Sequence, residues 1–352
     1  MTILLVSGAI PVPVPPGSLL DGLPRLAFGS EATPSVSPAH SNPPVGSVAP
    51  AGPGGSPAAS LPSSAQPSPS SGPASPRTIT VRSIPALLEA VADNEIDHVV
   101  VANGTYHVSE SSRLAPDSLW IGGRFAARTR PITVRAETIG GVTFDGTGGG
   151  SGYGGLSFED GAHDQTWIGF TFANMAADRS GIIGIAGYTI RRAPHHITLR
   201  SIRILGSCTG VATAHGSPAL DHGVYIANAL DPGPHDIQFD HVSIDGRGGL
   251  ASAFHFFHSA PGAPNASRVT VHDLTVTGTQ QAIMLWDPTL HDILFESGVI
   301  DGALNYAIRY ETVGSSGIII RDVTSSGSGF AGFYSSLGTA PAGISFSGSS
   351  LR

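Results

Sequence analysis

His235-Asp-Ile-Gln-Phe-Asp-His-Val-Ser-Ile-Asp-Gly246 is the stretch that decides the fold. Apolar residues stand at Ile237, Phe239, Val242 and Ile244, two alternating pairs separated by the polar dipeptide Asp240-His241. Period-two alternation marks a strand with one buried face, so the polar break marks a bend between two short strands. The pattern returns as Ile197, Leu199, Ile202 and Ile204 before Gly206, and as Val269, Val271, Leu274 and Val276 before Gly278. Looser copies start at Ile132, Gln165, Ile293, Ile318 and Ile344. Successive starts lie 33, 32, 40, 32, 24, 25 and 26 residues apart, which describes a repeat protein with loops inserted in its earlier turns.

A second arm precedes each bent pair and starts at a small residue: Gly155, Gly223, Ala253, Ala282, Ala307 and Gly332. Another arm is expected near Gly184, with Gly181 an alternative start. One arm plus one bent pair gives three short strands in a turn of about 25 residues, which is one coil of a parallel β-helix. The expected fold is all-β, a parallel β-helix of about eight to ten coils.

Composition agrees. Charged residues make up 12% of the 352, while Gly occupies 46 positions and Pro 28, a mixture suited to sheet and tight turns. The net charge of −8 argues against nucleic acid as a partner. All 18 basic residues are Arg, which removes mechanisms that use a lysine base. Cys208 is the single cysteine, so no disulfide forms within the chain.

Residues 1–29 open with Ile3-Leu4-Leu5-Val6 and then meet prolines at 11, 13, 15 and 16, too short an apolar run for a membrane span. This segment is read as the remnant of an export signal or a plain tail. Residues 30–78 form a Pro/Ser/Ala/Gly-rich spacer with twelve prolines in 49 residues, a composition that cannot pack a core. Spacers of this kind tether domains outside the cell, so an extracellular or cell-envelope location is expected. Residues 79–352 form the β-helix domain. Ser83 as N-cap, Pro85 in the first turn, and the apolar stripe Leu87, Leu88 and Val91 announce a short helix that caps the open N-terminal edge.

That helix, the following Ala102-Asn103-Gly104-Thr105-Tyr106 and the ladder of coils resemble the right-handed parallel β-helix proteins of the pectin-lyase-like superfamily. The resemblance covers residues 79–352. It implies the fold, and it implies a carbohydrate-active class that includes lyases, hydrolases, epimerases and non-catalytic adhesins.

Stacked coils bring equivalent residues into ladders. In the arm, Leu156, Val224, Phe254, Ile283, Ile308 and Phe333 face inward. The outward ladders are Ser157, Tyr225, His255, Met284, Arg309 and Tyr334, then Glu159, Ala227, Phe257, Trp286, Glu311 and Ser336. Aromatic rings interleaved with His, Arg and Glu suit a sugar-binding groove better than a solvated face; the alternative is that the long loop at 206–222 folds over this face and buries them. The expected catalytic residues are His255, Arg309, Glu311 and Asp287. The expected substrate-binding residues are Tyr225, Phe257, His258, Trp286 and Tyr334.

An elimination would use a histidine base and Arg309 as a carboxylate clamp. A hydrolase would use Asp287 with Glu311 as its carboxylate pair. Asp221, His222, Asn228, His258 and Asp287 match no specific metal spacing. No metal is assigned, and Ca²⁺ is the one cofactor entertained. The bent pair's outward ladder, Arg200, Asp240, His272, Glu296 and Arg321, pairs opposite charges on neighbouring coils and is expected to be structural. His195, His235 and His291 are expected in turns. The expected partner is a polysaccharide or cell-surface glycan, cleaved in a groove; the alternative is a non-catalytic glycan-binding or adhesion solenoid.

Overall fold

The computed structural model describes residues 75–108, 119–120, 128–147, 155–159, 161–175, 181–187, 192–206, 221–228, 232–258, 266–311, 314–337 and 342–352. The N-terminal segment, the spacer as far as residue 74, and most of the long loop at 206–222 lie outside the described residues.

Every strand pairing among the described residues is parallel, and the strands stack into three sheets that run along one axis. The first sheet carries ten rungs, opening with strands Thr78–Val81 and His98–Val101 and closing with Ile344–Ser347. The second sheet begins at Gly104–His107, and the third at Leu119–Trp120. The fold is a parallel β-helix. All eight repeat starts occupy one register, Ile132 opposite Gln165, then Ile197, Ile237, Val269, Ile293, Ile318 and Ile344.

The polar breaks are backbone bends. In successive coils Ser201, His241, Asp273, Ser297 and Asp322 hold φ between 52° and 58°. A left-handed residue turns the chain without a strand reversal, and Asp, Asn and His tolerate it better than branched residues. Each coil enters the first sheet through a similar residue, Asp164, His196, Asp236, Arg268 or Asp292, with φ between 51° and 57°. The turn residues are therefore the neighbours of His195, His235 and His291, which themselves begin strands. The imidazoles of His163, His195 and His235 stack along the coil axis with centroids 5.1 Å apart. Position 246 requires glycine because a Cβ there would lie 2.6 Å from the Gly278 carbonyl oxygen of the next coil.

In the third sheet, Gly155 and Gly223 have Ile182 as their counterpart, since Ile183 pairs with both Leu156 and Val224. The arm thus starts at Ile182, between the two glycines expected to open it. Ile182 is buried, so that arm opens on an apolar side chain where the others open on Gly or Ala.

The core fills the tube with apolar ladders, among them Leu199, Phe239, Val271, Phe295 and Ile320. Gln165, a polar residue at an inward position, accepts a hydrogen bond from the buried indole of Trp167 at 3.1 Å. Helix α1 (Ile84–Ala92) closes the N-terminal end, capped by Ser83 and burying Ile84, Leu87, Leu88, Ala90 and Val91. Arg128, 2% exposed, fastens this region. All five of its N–H donors meet carbonyls: Val91 and Asp93 at the helix end, Ile96, Arg130 and Pro131. Burial lowers its pKa, with Asp97 opposing that effect.

Candidate functional site

The third sheet presents the outward ladders expected from the sequence, in the expected register: Ser157, Gly184, Tyr225, His255, Met284, Arg309 and Tyr334 stand side by side on successive coils. A further ladder at the start of this sheet consists of His222, Ser252, Gln281 and Tyr306. His222, expected near one loop in a set with no specific metal spacing, begins strand His222–Asn228 and faces its neighbours on the sheet.

His222 and His255 form the centre. His222 Nδ1 lies 2.7 Å from Ser252 Oγ, and His222 Nε2 lies 2.9 Å from His255 Nδ1. Their rings, 4.2 Å apart, share an aromatic box with Tyr225, Phe257 and Trp286, whose centroids stand 5.2, 5.5 and 6.2 Å from the His255 ring. His222 and His255 are 7% and 5% exposed. Burial lowers the His222 pKa to about 3. It also holds His255 well below its usual value, helped by the neighbouring His222 and Arg309. Both imidazoles are neutral at physiological pH.

Two proton arrangements satisfy the Ser252–His222–His255 chain. If His255 Nδ1–H donates to His222 Nε2, and His222 Nδ1–H to Ser252, the lone pair of His255 is left on Nε2. That atom is buried and has no hydrogen-bond partner among the described residues. Arg309 stands on the next coil but one, half-buried, with Nη2 donating to Glu311 Oε1 at 2.6 Å. Its Nε is buried and likewise without a partner among the described residues. The box edge is wet: Trp286 is 43% exposed. Tyr334 stacks on Tyr306 with centroids 4.5 Å apart, extending the aromatic surface.

Of the expected residues, His255, Arg309, Glu311, Tyr225, Phe257 and Trp286 therefore cluster. Asp287 lies elsewhere in role: it is fully buried, and its Oδ1 accepts from the Thr289 amide at 2.8 Å and the Thr289 hydroxyl at 2.9 Å, fixing the turn after Trp286. The side chains of His258 and Asn228 lie outside the described residues. Ser252 was missed because a lone serine in a strand gives no signal until its register partner is known.

The bent pair's ladder contains the expected ion pairs, Arg200 Nε to Asp240 Oδ2 at 3.0 Å and Arg321 Nη1 to Glu296 Oε1 at 2.9 Å. Beside these pairs lies a group of four potential metal ligands. Asp240, His241, His272 and Asp273 converge on two adjacent bends, with one ligand-capable atom from each within 4.8 Å of the others.

No family model matches the chain. No curated protein matches it either. Among solved structures it is similar to a PL6 alginate lyase in complex with a trisaccharide, at 14% identity and TM-score 0.40, over 72% of this chain and 55% of that one. A second is a mannuronic-acid-specific polysaccharide family 6 lyase from human gut microbiota, at 14% identity and TM-score 0.37, over 72% and 60%. A third, another PL6 family alginate lyase, gives 12% identity and TM-score 0.33, over 73% and 40%. The chain thus spans between two fifths and three fifths of the length of these structures. Likeness at this level carries neither family membership nor activity. The class that the coordinates define is a parallel β-helix protein with a histidine-centred cluster on its third sheet.

Proposed function

We propose that this protein cleaves an acidic polysaccharide by β-elimination on the third sheet. The observation that carries the reading is His255 Nε2, an unpartnered nitrogen on a neutral imidazole beside an arginine whose Nε is also unpartnered. A base for elimination must be unprotonated at working pH, and burial supplies that condition. Arg309, oriented by Glu311, pairs with the uronate carboxylate and withdraws charge from the adjacent C5–H. His255 Nε2 takes the C5 proton. The C5–H electron pair becomes the C4=C5 double bond, the C4–O glycosidic bond breaks with its pair on oxygen, that oxygen takes a proton from water, and the hydroxide left recovers the proton held by His255. Trp286 and Phe257 offer flat faces for neighbouring rings. Asp287, committed to its turn, is unavailable as the second carboxylate of a hydrolase, which favours elimination over hydrolysis.

One observation favours binding without cleavage. Trp286 reaches solvent while His255 is only 5% exposed, so a chain could rest on the aromatic edge without meeting the base. Incubation with a panel of uronate polymers separates the two readings. Elimination releases unsaturated oligomers, and Arg309→Ala and His255→Asn each lower their rate by about 10²–10⁴-fold. Retention on an immobilised polymer with no product from the wild type supports the binding module instead. Membership of the pectin-lyase-like superfamily, a right-handed coil and an extracellular site of action belong to the same proposal, supported by the capping helix, the coil register and the proline-rich spacer.

A further inference from the structure

The coil carrying Asp240-His241 lies directly beside the coil carrying His272-Asp273, with Asp240 opposite His272 in the register. His241 and Asp273 are the left-handed bend residues, at φ 55° and 52°. The bend leaves two consecutive side chains between the inward residues Phe239 and Val242, so both members of each dipeptide reach one outer edge. His272 Nδ1 lies 3.3 Å from Asp240 Oδ1 and 3.3 Å from Asp273 Oδ2. His241 Nε2 lies 3.1 Å from Asp273 Oδ2, and its Nδ1 lies 2.6 Å from Asp240 Oδ1.

We propose that Asp240, His241, His272 and Asp273 form a site for a first-row divalent transition metal of the zinc class, bridging the two coils. Zinc with nitrogen and oxygen ligands at about 2.0–2.2 Å sets ligand atoms roughly 3.3–3.5 Å apart in a tetrahedron. The distances from His272 Nδ1 to both carboxylates, and from His241 Nε2 to Asp273, are close to that spacing already. Two imidazoles and two carboxylates suit zinc, nickel or copper, whereas calcium takes six to eight oxygens. The Ca²⁺ considered from the sequence is therefore a poor match to this group. Arg200 holds the other oxygen of Asp240 at 3.0 Å and so fixes Oδ1 toward the group, as outer partners of metal ligands do.

The scaffold does not demand these residues. Equivalent bends are made by Arg200-Ser201, by Glu296-Ser297 and by Ser347-Gly348, with the same left-handed turn. Only one neighbouring pair of coils places two histidines and two aspartates together among the described residues.

The test uses the full chain, stripped with a chelator and titrated with Zn²⁺ at neutral pH by calorimetry. The expected result is one ion per chain at this group with Kd in the micromolar range or below, and a melting temperature raised by about 5 °C at saturation. Co²⁺ in its place gives the visible absorption of a tetrahedral nitrogen–oxygen shell. His241→Asn and Asp273→Asn keep a residue that tolerates the left-handed turn, and His272→Asn is a second, independent variant. Each lowers Zn²⁺ affinity at least 100-fold while its melting temperature in chelator stays that of the wild type. Equal affinity in the variants and the wild type places the bound ion elsewhere and overturns the proposal. Absence of binding at millimolar Zn²⁺ overturns it as well, and so does Ca²⁺ displacing Zn²⁺ at comparable concentration.

Discussion

The histidines of the third sheet and those of the bends between the first and second sheets come from the same repeat, yet their surroundings are opposite. His222 and His255 are buried and bonded to each other, His222 also to the Ser252 hydroxyl, with no carboxylate bonded to either among the described residues. His241 and His272 stand at the outer edge, each bonded to Asp240 and within ion-pair distance of Asp273. Burial without a counter-charge keeps an imidazole neutral and available as a base. Exposure among carboxylates offers an imidazole nitrogen to a metal ion. One side-chain type thus stands in two opposite environments, and the position in the coil decides which.

The contrast can be broken or sharpened at four points. The largest effect concerns a buried charge at the N-terminal cap. Arg128→Met strands carbonyls at the end of α1, and it is expected to cost about 3–5 kcal/mol in chemical denaturation. An effect below about 1 kcal/mol would show that these carbonyls find other partners.

The next effect lies on the third sheet. His222 has a folded pKa of about 3 against an unfolded value of 6.5, so the unfolded chain binds the extra proton. Its stabilising effect is complete above pH 6.5 and is lost as pH falls toward the folded value. Between pH 7 and pH 5, before most carboxylates titrate, this amounts to about 2 kcal/mol. Unfolding curves at the two pH values should show that loss in the wild type and a smaller one in His222→Gln.

A smaller effect tests the wet edge of the box. Trp286→Ala should weaken retention on a uronate polymer about 10-fold with little change in melting temperature, because the ring is 43% exposed. The smallest effect belongs to the bends: Arg321→Ala removes an exposed pair with Glu296 and should cost about 0.5 kcal/mol or less.

Much of the fold was legible because inward residues obey strict alternation and the bend repeats in each coil. Phe239 and Val242 announce the bend by their spacing alone, and every repeat start falls in the observed register. The third-sheet start at Ile182 was not legible, since an isoleucine there gives no small-residue cue. Nor was the job of Arg128, whose five acceptors are backbone carbonyls without a sequence signature. The ladder of Tyr225, His255 and Arg309 was visible once the register was fixed. The partner of His255 was hidden, because His222 stands before the expected start of its arm and outside the period-two pattern. The group at Asp240 and His272 was set aside as structural because opposite charges on neighbouring coils usually pair. Its second row, His241 and Asp273, faces outward only through the left-handed bend, which the alternation pattern does not encode.

The most direct measurement follows the appearance of unsaturated product from uronate polymers with wild type, His255→Asn and His272→Asn, each purified and checked for an unchanged melting temperature. The account predicts product from the wild type and from His272→Asn at comparable rates, with a loss of about 10²-fold or more in His255→Asn. Equal rates in wild type and His255→Asn, or no unsaturated product from the wild type on any uronate polymer, would contradict it.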